Sequence, residues 1–247
     1  FEEVDKIAND ILYVRLLEPQ PYDSFAVLIR SNYQAKLFEK AFIEKKIPYQ
    51  LSGGQSFFDY SEIKDCLCYL RLLVNTDDNN ALLRVINTPR RGIGAQSIKR
   101  LIKMAQIENL SLYDATRCNR FNEYFSDAAG NRLRQFSDWL FEFEKNFISY
   151  EPVKIVQKLL DEISFDDWLE TITPEEKQHE RKKNNILELV SWIKKISEKN
   201  PEYELADVVS SLMLFDVLDR RENEKKDGSV SLTTLHAAKG LEFPNVY

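Results

Sequence analysis

Two stretches of the chain concentrate side chains able to do chemistry. The first is "VINTPRRGIGAQSIKRL", residues 85–101. Thr88 and Pro89 end one helical pattern, Gly92, Ile93 and Gly94 make a tight turn, and a new helical pattern opens near Ala95. Glycine takes positive φ at little steric cost, so such a turn lets backbone approach a ligand closely. The first N–H groups of a helix lack intrahelical acceptors and sit at the positive end of its dipole, which suits them to phosphate. Arg90 and Arg91 precede the turn, Lys99 and Arg100 lie about a turn into the helix, and Ile93 can anchor the corner in a core. The second stretch is "VSLTTLHAAKGLEF", residues 230–243, which puts hydroxyls, an imidazole, an amine, a glycine and a carboxylate close together. Its first half has the character of a buried strand. The rest has that of a loop over a charged ligand.

The first stretch resembles a helix–hairpin–helix, which grips a nucleic-acid backbone without reading bases. An ordinary helix–helix turn with solvated basic residues has the same spacing. No acidic residue falls between residues 79 and 107, whereas Arg84, Arg90, Arg91, Lys99, Arg100 and Lys103 do. A basic window inside a chain of net charge −6 is a candidate anion-binding patch. In the second stretch, Ala237 and Ala238 permit close approach, Lys239 and Gly240 turn the chain, and Glu242 follows. His236 has no accompanying cysteine or serine nucleophile motif, and His179 reads as a solvated residue of a charged helix. A third, weaker signal is "AVLIRSNYQ", where a strand delivers Arg30, Ser31 and Asn32 to its C-terminal edge. Ligands of open α/β sheets bind at that edge, but strands commonly end in polar residues.

Several elements must position these groups. Val4, Ile7, Ile11 and Leu12 recur at helical spacing, and "PQPYDS" ends that helix. "FAVLI" is a short apolar run expected as a strand buried on both faces. A helix with Leu37, Phe38, Ala41 and Phe42 on one side follows, then the strand "IPYQLS". That βαβ-like order expects a parallel sheet. From about residue 57 to 221 the patterns are almost wholly helical. Pro152 stands at the favoured first position of one helix, and Thr173, Pro174, Glu175 and Glu176 read as a capping box opening a long one. After the charged connector "RRENEKKDG", "VSLTTL" and "PNVY" return to strand character.

The expected fold class is mainly α. An all-helical domain, residues 55–225, is inserted into a partial α/β domain with a parallel sheet, residues 1–54 and 226–247. Crossings near Gly53 and Gly54 and near residues 225–228 would act as hinges. Contiguous domains would leave each flanking α/β piece without a complete sheet. Composition is that of a soluble globular protein, with no apolar run of membrane-spanning length and no signal peptide. Cys66 and Cys68, two residues apart in a helical pattern, and Cys118 suit neither a disulfide nor a zinc knuckle. Reduced core thiols and a cytoplasmic location are expected.

Four segments carry a resemblance to a known family. "VSLTTLHAAKGLEFPNVY" resembles motif V of superfamily 1 DNA helicases of the Rep, UvrD and PcrA type. "FAVLIRSNYQAKLFEKAF" is similar to the strand and helix of their second RecA-like domain (2A). "LSGGQSFFDYSEIKDCLCYLRLLVN" and "NTPRRGIG" resemble the start of the helical subdomain (2B) inserted into it.

The resemblance implies a RecA-like, P-loop NTPase type of sheet and an ATP-dependent, 3′-to-5′ single-strand translocase and unwinding motor of replication or repair. It implies that Arg30, Asn32, Thr234 and His236 touch single-stranded DNA. Gly240 and Glu242 would lie on the nucleotide side, the glutamate bonding the ribose. Gly92, Ile93 and Gly94, with Ser97, would meet duplex phosphates, where the spacing also places Arg90, Arg91, Lys99 and Arg100.

The sequence contains no GxxxxGK[ST] phosphate loop and no acidic pair for magnesium in a matching context. The chain is therefore expected to be a piece of such an enzyme, with no complete catalytic set and no metal site of its own. ATP and Mg²⁺ would belong to the full-length protein, with none bound to the piece. The implied partners are DNA, as single strand and as duplex backbone, and replication or repair proteins, with no membrane. A non-enzymatic DNA-binding module and a protein-docking regulatory module are the alternatives.

Overall fold

Phe25–Ile29 (β1) is almost wholly buried along its length because it is flanked on both sides. The computed structural model describes residues 2–30, 32–52, 57–224 and 228–247. Strands Tyr49–Ser52 (β2), Val230–Thr234 (β3) and Asn245–Val246 (β4) complete a sheet of order β2-β3-β1-β4. Every pairing is parallel. The expected strand–helix–strand unit is present, but β1 and β2 are not neighbours. β3, from the far end of the chain, lies between them, with Ala26 opposite Ser231 on one side and Leu51 opposite Leu232 on the other. The sheet therefore closes only when residues about two hundred positions apart meet.

By backbone contacts the chain divides into two compact units, Phe1–Tyr60 with Ser211–Tyr247, and Ser61–Ser210. In the first, the helices Glu2–Leu17 (α1) and Asn32–Lys45 (α2) supply the apolar cover. Val4, Ala8 and Ile11 of α1 and Ala35, Phe38, Ala41 and Phe42 of α2 are buried at helical spacing. Phe42 packs on Phe38 and on Tyr49 of β2, at ring-centroid distances of 5.9 and 5.7 Å. The short β4 is held by Tyr247, whose N–H donates to Ala26 at 2.9 Å and whose hydroxyl donates to Asp10 at 2.7 Å.

The second unit is helical. Its helices are Ser61–Val74 (α3), Asn79–Val85 (α4), Ala95–Glu108 (α5), Leu112–Arg117 (α6), Phe121–Tyr124 (α7), Ala128–Phe147 (α8), Pro152–Glu162 (α9), Phe165–Ile172 (α10) and Glu176–Lys199 (α11). Leu205–Glu224 (α12) begins in it. Local chemistry sets the starts: Asp78, Ser111 and Asp127 accept from backbone N–H groups at α4, α6 and α8, and Pro152 opens α9. α3 is buried on nearly every face. The buried Glu62 accepts from Asn185 of α11 and from the Ser61 hydroxyl at 3.0 Å. Cys66 and Cys68 are free and buried in the same helix, and burial pushes the Cys66 thiol up to about 12.

The structure corrects two local readings. The capping box at Thr173 does not form, because Thr173 ends α10 and its hydroxyl accepts from Lys182 at 2.9 Å. α11 starts at Glu176, with no side-chain cap. His179 is not a freely solvated residue: its side chain is 16% exposed and meets Asp166 of α10 at 3.1 Å.

The expected crossings at Gly53 and Gly54 and at Lys225, Lys226 and Asp227 lie outside the described residues. Among the described residues no helix is long and apolar enough to cross a membrane.

Leu232 is fully buried at the centre of the sheet. Leu232→Ala should cost about 2–5 kcal/mol in unfolding experiments, the range for emptying such a core site.

Candidate nucleic-acid interface

The Gly92 corner lies between α4 and α5 and is built from backbone outward. Gly92 has φ +70, a conformation that strains any residue with a Cβ. Gly94 is extended and caps α5 with no side-chain bond. Ile93 between them is 1% exposed, so it pins the corner while its neighbours face solvent. Asn87 closes the approach, its Oδ1 accepting from the N–H of Arg91 at 2.8 Å and of Ile93 at 3.2 Å. Ala95 and Gln96, which open α5, are exposed, and their N–H groups have no acceptor among the described residues.

The basic residues of this stretch divide by what they hold. Arg91, expected from the spacing to face phosphate, is committed inward. Its guanidinium donates to the carbonyls of Val85 at 3.0 Å and Pro89 at 3.2 Å and to the Tyr69 hydroxyl at 2.7 Å. It lies 4.8 Å from the centroid of the Phe136 ring. The Tyr69 hydroxyl in turn donates to Thr88, and burial pushes it up to about 12 against the lowering pull of Arg91. Arg91 is thus the clamp that gives the corner its shape.

Arg84 is held by Asp65 at 2.7 Å. Arg100 donates to Asp127 at 2.7 Å and stacks 4.1 Å from the Phe125 ring centroid. That bond holds the Asp127 carboxyl below its ordinary range, helped by the Gly130 N–H that Asp127 caps. Arg90, Lys99 and Lys103 are exposed and hold no carboxylate among the described residues. Ser97 is half-buried in the first turn of α5. Arg132, a residue with no local signal in the sequence, reaches the corner from α8 and donates to the Gly92 carbonyl at 3.1 Å.

The other predicted residues belong to the sheet. Ile29 and Thr234 are register partners, and the N–H of Leu235 donates to the Ile29 carbonyl at 3.1 Å. Arg30 and Thr234 therefore leave adjacent parallel strands at one C-terminal edge. Arg30 is exposed, and its N–H donates to Gln34 at 2.8 Å. The Thr234 hydroxyl accepts from the N–H of Ala237 at 3.3 Å, turning the chain so that His236 is exposed. Gly240, with φ +87, makes the next turn, and Glu242 beyond it is exposed. Asn32 opens α2, but its side chain, like all of Ser31, lies outside the described residues.

The polar C-terminal edge of the parallel sheet and the basic helix start at Gly92 are the two places on the chain whose chemistry suits an anionic ligand. The chain belongs to the UvrD-like helicase C-terminal domain family, whose profile matches residues 1–247. It is 36% identical to ATP-dependent DNA helicase Rep of Escherichia coli K12 over 99% of this chain and 37% of that protein. It is 33% identical to ATP-dependent DNA helicase PcrA of Bacillus subtilis over 100% of this chain and 34% of that protein. The chain thus spans little more than a third of the curated relatives it matches.

Glycine is required at one side of the corner and not at the other. Gly92→Ala should destabilise by about 1–2 kcal/mol through the positive φ alone. Gly94→Ala meets nothing within 4 Å and should change stability by less than about 1 kcal/mol. Paired thermal melts measure the difference.

Proposed function

We propose that this chain is the part of an ATP-dependent DNA helicase that grips duplex backbone and contributes one wall of the single-strand and nucleotide sites. In this reading the helical unit is an insertion in the α/β unit and moves against it as a rigid body. The observation that carries the duplex role is the exposed start of α5, whose first N–H groups have no acceptor among the described residues, with Arg90 and Lys99 beside it. Helix-start N–H groups and unpaired cations both favour a polyanion and read no base.

Arg30 and Thr234, at one sheet edge with His236 beyond, offer a charge, a hydroxyl and an imidazole to a single strand. Asn32, at the start of α2 directly after that edge, would offer the strand an amide. Arg91 positions the corner in place of binding phosphate, and Arg100 shares its charge with Asp127.

The residues present fit one side of a nucleotide. The exposed Glu242 carboxylate can accept from ribose hydroxyls, and the Gly240 turn lets the backbone approach. No three His, Cys, Asp or Glu side chains cluster to hold a metal among the described residues. When bound by the whole enzyme, ATP supplies the free energy for translocation. The residues here bind and orient.

Two measurements test this reading. The isolated 247-residue chain should show no DNA-stimulated ATPase, whereas the full-length protein should. Hydrolysis by the chain alone would contradict the reading. In the full-length protein, Arg90→Ala with Lys99→Ala should weaken duplex binding. The slope of log K against log salt should fall in magnitude by about 0.9 for each phosphate that the variant no longer neutralises. An unchanged slope would remove the corner from the interface.

A further inference from the structure

We propose that Arg132 of α8 is a further phosphate ligand of the Gly92 corner. The proposal rests on the duplex-binding reading above and extends it to a residue 40 positions away in sequence. The Arg132 guanidinium donates to the Gly92 carbonyl at 3.1 Å. A Cβ at position 92 would lie 3.4 Å from its Cζ and Nε, in van der Waals contact, so the guanidinium packs directly against the turn.

This hydrogen bond changes the polarity of the corner. A carbonyl oxygen beside the start of α5 would repel an incoming phosphate, and Arg132 covers that oxygen with a cation. A guanidinium has five N–H donors, so engaging one carbonyl leaves others for a second acceptor. Arg71, Arg84, Arg100, Arg117 and Arg120 of the same unit each hold a carboxylate. Arg132 is exposed and holds none among the described residues. Its charge is therefore available, and its anchored geometry lowers the ordering cost of binding. The ligand class is a nucleic-acid phosphodiester, bound without base readout.

Tailed-duplex binding by the full-length protein, measured as a function of salt, tests the proposal. Arg132→Gln keeps an N–H donor for the Gly92 carbonyl and removes the charge. Its slope of log K against log salt should be smaller in magnitude than wild type by about 0.9, the change expected when one phosphate goes unneutralised. Arg132→Lys should keep most of the wild-type slope, and single-strand binding should be unaffected in both. A wild-type slope in Arg132→Gln, alongside a reduced slope in the Arg90 and Lys99 variants, would overturn this inference and leave the duplex-binding reading standing. A wild-type slope in all of them would overturn both. A lowered melting temperature in Arg132→Ala with a wild-type slope in Arg132→Gln would make Arg132 a structural residue only.

Discussion

Arg91 is a cation turned inward. Its guanidinium bonds the carbonyl oxygens at the end of α4 and the Tyr69 hydroxyl, and Phe136 of α8 covers it. Buried or half-buried carbonyls without partners are costly, so an arginine that satisfies several at once fixes the path of the chain through them. Everything outward of that clamp follows from it. With Arg91 and Asn87 holding the approach and Ile93 buried, Gly92 and Gly94 are left at the surface and α5 begins with its N–H groups facing solvent.

The same logic sorts the charges. The basic stretch looks uniform in sequence, yet its members divide into an internal clamp, two arginines neutralised by Asp65 and Asp127, and three exposed cations. An anion approaching the corner meets the exposed ones and the helix start. A chain of net charge −6 can therefore still present a local positive face, the kind of surface that attracts a phosphate backbone.

Much of this was legible in the sequence because the signals are local. Apolar periodicity gave the strands at Phe25–Ile29 and Val230–Thr234 and the helices around Leu37 and Leu101, and Gly92 announced a positive φ. Matches to the family span the whole chain, which is why the resemblance could be drawn from four segments. The unread features are tertiary. Nothing near Arg132 tells that it meets Gly92, and nothing near Arg91 tells that Tyr69 will take its donors. Thr173 shows the converse failure, a correct local cap pattern overridden when Lys182 took the hydroxyl and α10 ended on that residue. The βαβ order was readable too, but the placing of β3 between β1 and β2 depends on a pairing across the length of the chain.

The central claim is that the solvent-facing start of α5 is a phosphate seat. Amide hydrogen exchange in the full-length protein, with and without a tailed duplex, addresses it at the atoms concerned. The Ala95 and Gln96 amides should exchange quickly in the free protein and slow on saturation with duplex, with no such change on single strand. Unchanged exchange at both positions under saturating duplex would contradict the claim.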